Sequence, residues 1–140
     1  MVVIQQTPEQ EAEWWNAADL DKDVYGGSDL GTKLCLDYIR PVIERGQALV
    51  DCAPYFMDLG CGVGRLLLPL QWEFPAVSAV GVDISEVMLA EADLRAYAAG
   101  ITDGSKGPLL RLTDGRDIDW KWGLCAAYSV LLFQHLPDDV

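Results

Sequence analysis

The chain has 140 residues, 51% apolar and 23% charged, a size and balance that suit one folded domain and exclude a disordered tail or a string of modules. Its 22 acidic residues against 10 basic ones leave a formal net charge of −12, which argues against nucleic acid as a partner, because phosphate binding needs a basic footprint. No window is apolar over the ~20 residues that a membrane helix requires, and residues 1–8 lack the basic-then-apolar pattern of a signal peptide, so a cytoplasmic protein with no membrane contact is expected.

The first fifty residues read as helical. Residues 11–18 carry Trp14 and Trp15 among helix formers, and Tyr25-Gly26-Gly27-Ser28 breaks the pattern. Over residues 30–44, Leu34, Leu36, Ile39, Val42 and Ile43 recur near helical spacing, with Pro41 as a kink and Gly46 as the stop. Residues 1–50 are therefore predicted to be a helical extension to residues 51–140. Trp14, Trp15 and Tyr25 fit either a lid over a site or helix-packing aromatics.

Beyond residue 50, short apolar runs alternate with helical stretches, the pattern of parallel strands joined by crossover helices. Strands are predicted over 55–59, 77–82, 109–113 and 124–130, and helices over 65–73 and 86–99. Residues 102–108 are a polar, glycine-containing loop, and the crossover before the fourth strand is short, one turn near 116–119. The predicted fold is α/β, a mostly parallel Rossmann-like, doubly wound sheet.

Cys35, Cys52, Cys61 and Cys125 show no Cys-x-x-Cys spacing and no cluster with His135, the single histidine. Free thiols are expected, and no metal site.

Chemistry concentrates in three places. Asp58-Leu59-Gly60-Cys61-Gly62-Val63-Gly64-Arg65 lies after a strand and before a helix, where glycines let the backbone turn tightly and approach a ligand that a Cβ would block. The spacing is Gly-x-Gly-x-Gly; the third glycine of a dinucleotide fingerprint is replaced by Arg65. Asp83, 19 residues after Gly64, stands near the offset at which a carboxylate accepts from a ribose diol; the alternative is a helix cap, a role open to Ser85 as well. Asp114, at the end of the third strand, could accept from an exocyclic amine or simply begin a turn before Gly115.

Asp58-x-Gly60-x-Gly62-x-Gly64, Asp83, Asp114, and a fourth strand running into Ser129-Val130-Leu131-Leu132-Phe133-Gln134-His135-Leu136-Pro137 together resemble the class I S-adenosylmethionine-dependent methyltransferases, most closely those acting on small molecules. The resemblance implies S-adenosylmethionine as cofactor and a small-molecule acceptor with an oxygen, nitrogen or carbon nucleophile. It implies that the loop from Asp58 through Gly60, Cys61 and Gly62 to Gly64 cradles the methionine portion, with Cys61 as packing. Asp83 would bind the ribose, Ile84 would pack on adenine, Asp114 and Gly115 would face the adenine amine, and Ser129 and Val130 would lie near the methyl group.

The Asn/Asp-Pro-Pro-aromatic signature of amino-methylating DNA enzymes and the Pro-Cys pair of cytosine-C5 enzymes do not occur. His135 fits a general base or a brace for the loop before Pro137.

The resemblance also implies seven strands in the order 3-2-1-4-5-7-6, of which four, 3-2-1-4, are found. The sequence is thus expected to be a C-terminally truncated piece, with residues 124–130 as an apolar edge open to pairing with a second chain. Three alternatives stay open: a non-catalytic module that binds S-adenosylmethionine, an inactive fragment, and a nicotinamide-dependent oxidoreductase, which Arg65 disfavours.

Overall fold

The computed structural model of the chain describes residues 7–17, 29–49, 55–101, 108–114, 118 and 123–130. Their order is α1 (Pro8–Asn16), α2 (Asp29–Leu49), β1 (Tyr55–Leu59), α3 (Leu67–Glu73), β2 (Ser78–Asp83), α4 (Glu86–Ala98), β3 (Leu109–Leu112) and β4 (Leu124–Tyr128). The strands form one sheet in the order β3-β2-β1-β4, and every neighbouring pair is parallel, as the alternating pattern predicts. All four carboxyl ends therefore lie on one edge.

Strand composition explains the layering. Phe56 and Ala79, on alternate positions, join Leu36, Ile39 and Ile43 of α2, Leu67 and Leu70 of α3 and Leu89 of α4 in the main core. The three helices thus cover one face, where right-handed crossovers from β1 to β2 to β3 must place α3 and α4. Met57, Val80 and Val82 point to the other face, and Ile118, from the connection between β3 and β4, packs there. That connection reverses direction in the sheet, so the same rule sends it to the opposite side. The sheet is wound both ways, and β1 and β4 flank the point where the winding switches.

Several boundaries differ from the sequence reading. Helix α2 does not stop at Gly46 but runs to Leu49, because this glycine serves contact and not termination. The pairing of β1 with β4 passes from Tyr55–Leu124 to Phe56–Ala126, leaving Cys125 as an extra residue. A Cβ on Gly46 would stand 1.9 Å from the Cys125 carbonyl oxygen, so the helix rests directly on the irregular turn of the strand. Strand β4 ends at Tyr128, two residues before the predicted limit, and α3 begins at Leu67 because residues 62–66 are turns. The predicted turn at 116–119 lies outside the described residues except for Ile118.

One buried polar side chain ties the layers together. Gln71 on α3 is 3% exposed; its Nε2 donates to the Val77 carbonyl at 2.9 Å and its Oε1 accepts from the Ala79 amide at 2.5 Å. Gln71→Leu keeps the volume but strands both backbone groups, each worth about 1–3 kcal/mol when buried and unpaired. The variant is expected to lose roughly 2–4 kcal/mol in urea unfolding. Glu73→Gln, which breaks only the exposed pair with Arg40, is expected to lose less than about 1 kcal/mol.

Candidate functional site

The connection from β1 to α3 is built from alternating backbone signs. Gly60, Gly62 and Gly64 have φ of 74°, 52° and 78°, the left-handed region that glycine adopts without strain, so the backbone turns tightly around a concavity between β1 and α3. The loop is anchored from beneath: the Gly60 and Cys61 amides donate to the Val82 carbonyl at 2.8 and 3.0 Å, and the Gly64 amide donates to the Cys61 carbonyl at 2.9 Å. A Cβ added at Gly62 would meet nothing within 4 Å. Among the described residues, the space in front of Gly62 is open.

Asp83 closes the second side. Its Oδ2 accepts from the Gly62 amide at 2.7 Å and its Oδ1 from the Ser85 amide at 2.9 Å, so one carboxylate braces the glycine loop and the turn into α4. Burial pushes this acid above the usual carboxylate range, and bonds from Ser85, Gly62 and Ile84 work in the opposite direction. The capping role belongs to Ser85, whose hydroxyl accepts from the Met88 amide at 3.1 Å. Ser85, and not Asp83, is the N-cap of α4.

Ile84 follows Asp83 at the same edge, half-buried, and Asp114 and Ser129 stand just past β3 and β4, also half-buried. The Thr113 amide donates to the Asp83 carbonyl at 2.9 Å, which carries the β2–β3 pairing one step beyond the strands. Asp58, Gly60, Cys61, Gly62, Gly64, Asp83, Ile84, Asp114 and Ser129 are thus gathered along the carboxyl edge. Gly115, His135 and Tyr25 lie outside the described residues. Cys61 is buried, its thiol held protonated by burial and by the charges of Asp58 and Asp83, and its Sγ fills the space beside Gly81. It packs against the sheet.

Sequence reasoning missed two residues here. Asn16, the last residue of α1, accepts from the Ser85 hydroxyl at 2.8 Å and the Val87 amide at 3.3 Å, which docks α1 on the start of α4 beside Asp83. Helix α1 has a complete capping box between Thr7 and Gln10 and buries none of its residues. Trp14 is 52% exposed and sits edge-to-face on Trp15, so the Trp pair is not core. No local signal marks Asn16, because its partners are distant in sequence.

Tyr128 is the second. It is the register partner of Asp58 across β1 and β4, and its ring stacks on Phe56 with centroids 6.5 Å apart. Asp58 is 3% exposed; burial first and the Asp83 charge after it push its carboxyl up to about 7, while the nearby Tyr128 hydroxyl pulls the other way. The hydroxyl lies close enough to exert that pull, yet among the described residues it makes no hydrogen bond of proper geometry, and the buried Ser129 hydroxyl likewise has no partner there.

An acid whose folded pKa is raised binds its proton more tightly in the native state, so stability falls as pH rises from about 4 to about 7. Asp58→Asn removes that loss. The variant is expected to be more stable than the parent above pH 7, by an amount on the order of 4 kcal/mol, and to have no advantage below about pH 4, as read from urea midpoints across that range.

In parallel sheets wound both ways, ligands bind outside the carboxyl ends at the point where the winding switches. The glycine concavity, the Asp83 carboxylate and the unpartnered Tyr128 and Ser129 hydroxyls all meet there. This donor and acceptor set suits a ligand with a sugar diol, a polar tail and a cationic group.

Residues 56–140 match the family model described as a methyltransferase domain. Trans-aconitate 2-methyltransferase of Deinococcus radiodurans is 33% identical over 94 residues, covering 66% of this chain and 33% of that protein. The Escherichia coli protein of the same name is 39% identical over 54 residues, 38% of this chain and 21% of that one. Magnesium protoporphyrin IX methyltransferase from Synechocystis, solved with bound SAM, superposes with a TM-score of 0.72 over 97% of this chain and 67% of its own, at 21% identity. The chain thus spans about a third of the Deinococcus relative's length, and the solved structure shows the same fold.

Proposed function

The chain belongs to the methyltransferase domain family of the class I, S-adenosylmethionine-dependent kind, and from that premise we propose that it binds S-adenosylmethionine at the carboxyl edge and serves methyl transfer to a small molecule. The observation that carries this reading is the meeting of the open glycine concavity with Asp83 at the switch point.

The loop from Asp58 to Gly64 holds the methionine portion, and Asp83 accepts from the ribose hydroxyls. Ile84 packs on the adenine, Asp114 and Gly115 face its amine, and Ser129 offers its hydroxyl near the methionine end. Each of these lies on the edge or directly continues a residue that does. The bound group would supply a methyl already activated by a sulfonium leaving group, so the chain's contribution is orientation and exclusion of water, worth several orders of magnitude in rate. Helix α1, within the extension of residues 1–50, screens this site, which its docking through Asn16 supports. His135 is assigned as the base that takes a proton from an attacking hydroxyl or amine.

The acceptor is a small molecule with an oxygen, nitrogen or carbon nucleophile. Support comes from the two relatives named for trans-aconitate. Neither nucleic acid nor membrane is a partner in this reading, and the setting is the cytoplasm, where the thiols of Cys35, Cys61 and Cys125 stay reduced. The exposed side of β4 is a surface for further strand pairing.

Incubation with methyl-labelled S-adenosylmethionine and a panel of small acids, phenols and amines tests the reading. Label transferred to one acceptor class supports it; donor binding without transfer to any class would favour a module that only holds the nucleoside.

A further inference from the structure

The crevice between β1 and β4 contains a polar pair whose second member, Tyr128, has no role in the donor binding proposed above. Asp58 is the single charged residue of β1, whose sequence is Tyr-Phe-Met-Asp-Leu, and it is sealed from solvent. Tyr128 stands opposite in register, fixed by stacking on Phe56. Its hydroxyl is buried beside the carboxyl but has no formed hydrogen bond among the described residues. A buried phenol normally finds a partner.

The groups facing the Asp58 carboxyl are Asp83 from the end of β2, Tyr128 from β4 and the Cys61 thiol from the glycine loop. Among the described residues, none of the groups facing it is a cation. An ionised Asp58 would sit in a dry site beside a second carboxylate, so in the free chain the acid keeps its proton to near neutral pH, and burial is the main cause. A protonated Asp58 offers the Tyr128 hydroxyl only a neutral carbonyl oxygen, whereas the carboxylate offers the charged acceptor to which a buried hydroxyl donates more strongly.

We propose that Asp58 and Tyr128 form a proton-linked latch on the donor site: Asp58 is the neutral acid in the free chain, it loses its proton to solvent as a cationic methyl donor settles at the switch point, and the Tyr128 hydroxyl then donates to the carboxylate so formed. The Asp58 O–H bond breaks and its proton passes to water. Tyr128 keeps its own proton, since burial and the Asp58 charge both raise its phenol above the ordinary range. Tyr128 is a positioning residue, acting on the ligand through Asp58. The latch rests on the methyl-donor reading above.

The test titrates S-adenosylhomocysteine, which retains the α-ammonium, and S-adenosylmethionine into the chain between about pH 5.5 and 8.5, in two buffers of different ionisation enthalpy. Affinity of the parent is expected to rise by up to about tenfold per pH unit below 7 and then level off, with proton release in the rising range. Tyr128→Phe should shift that break upward, weakening binding about tenfold at pH 7 and far less at the top of the range. Asp58→Asn should remove the break. His135→Gln is the control, because imidazole is the one side-chain class whose ordinary range falls in this window, and the break must survive it. Carbon-13 carboxyl resonances of the free chain give a readout that needs no ligand: Asp58 should titrate near neutrality and move upward in Tyr128→Phe.

A break that persists in Asp58→Asn, or an Asp58 titration unmoved by Tyr128→Phe in a folded chain, would overturn the latch. Binding without any pH break would overturn the latch alone and keep the donor reading. Absence of binding to any folded variant at any pH would overturn both.

Discussion

Gly62→Ala is expected to abolish binding of S-adenosylhomocysteine while leaving the chain folded. The residue's φ of 52° lies in the left-handed region, where an alanine costs about 1 kcal/mol. The new methyl would meet no atom of the described residues within 4 Å, so no clash with them adds to that cost. The Gly62 amide can still donate to Asp83. What changes is the open space in front of the loop, which the proposed ligand needs for close approach to the backbone. A methyl group forced into such a contact weakens binding by at least about 100-fold, the equivalent of roughly 3 kcal/mol. Calorimetric titration and a urea melt on the same sample separate the two effects. A structural glycine with no ligand in front of it would show the small stability loss and unchanged binding.

Gly46→Ala is expected to have the reverse profile, in which the fold itself is lost. By helix propensity alone the change should help by about 1 kcal/mol, since glycine is a poor helix former in the interior of a helix such as α2. The contact decides otherwise. The added Cβ would fall 1.9 Å from the Cys125 carbonyl oxygen and 2.7 Å from its carbon. These are backbone atoms of a strand held by β1, and they have no rotamer to change. Helix α2 would have to lift off β4, withdrawing Ile39 and Ile43 from the main core. A loss of more than about 3 kcal/mol is expected, visible as a collapse of the urea midpoint. A neutral or stabilised variant would mean that α2 and β4 do not pack in this way.

These two glycines show what was legible in the sequence and what was not. Gly62 could be read in place, because the chemistry of a strand-to-helix turn is local: alternating glycines, a strand before and a helix after. Asp83 was legible by the same logic, since its offset from the loop follows from the length of one β-α-β unit. The strands were legible because their apolar runs are bounded by turn residues. Gly46 was misread as a stop because a glycine inside a helical pattern looks identical whether it ends the helix or lets a distant strand approach. The irregularity at Cys125 that demands it comes from the pairing of β1 with β4, which no local window contains.

Gln71 and Asn16 failed to stand out for a related reason. A glutamine on a short helix reads as surface, and only the crossover geometry turns it toward the start of β2. Asn16 reads as the end of a helix, and its role emerges only when α1 meets α4. Tyr128 is the instructive case. A charge in the middle of an apolar strand, Asp58 in Tyr-Phe-Met-Asp-Leu, was a visible sign that some polar partner must lie across the sheet. The partner could be named only once the register was known.

The central claim is that the carboxyl edge is a binding site for S-adenosylmethionine, and titration of S-adenosylhomocysteine tests it most directly. The purified chain, an Asp83→Ala variant and an NAD control would be measured side by side at pH 8, where Asp58 is ionised. The account predicts saturable binding of the nucleoside to the parent, loss of at least about 100-fold in the variant because two charged hydrogen bonds disappear, and no heat from NAD. Binding of NAD in its place, or equal binding of the nucleoside by Asp83→Ala, would contradict it.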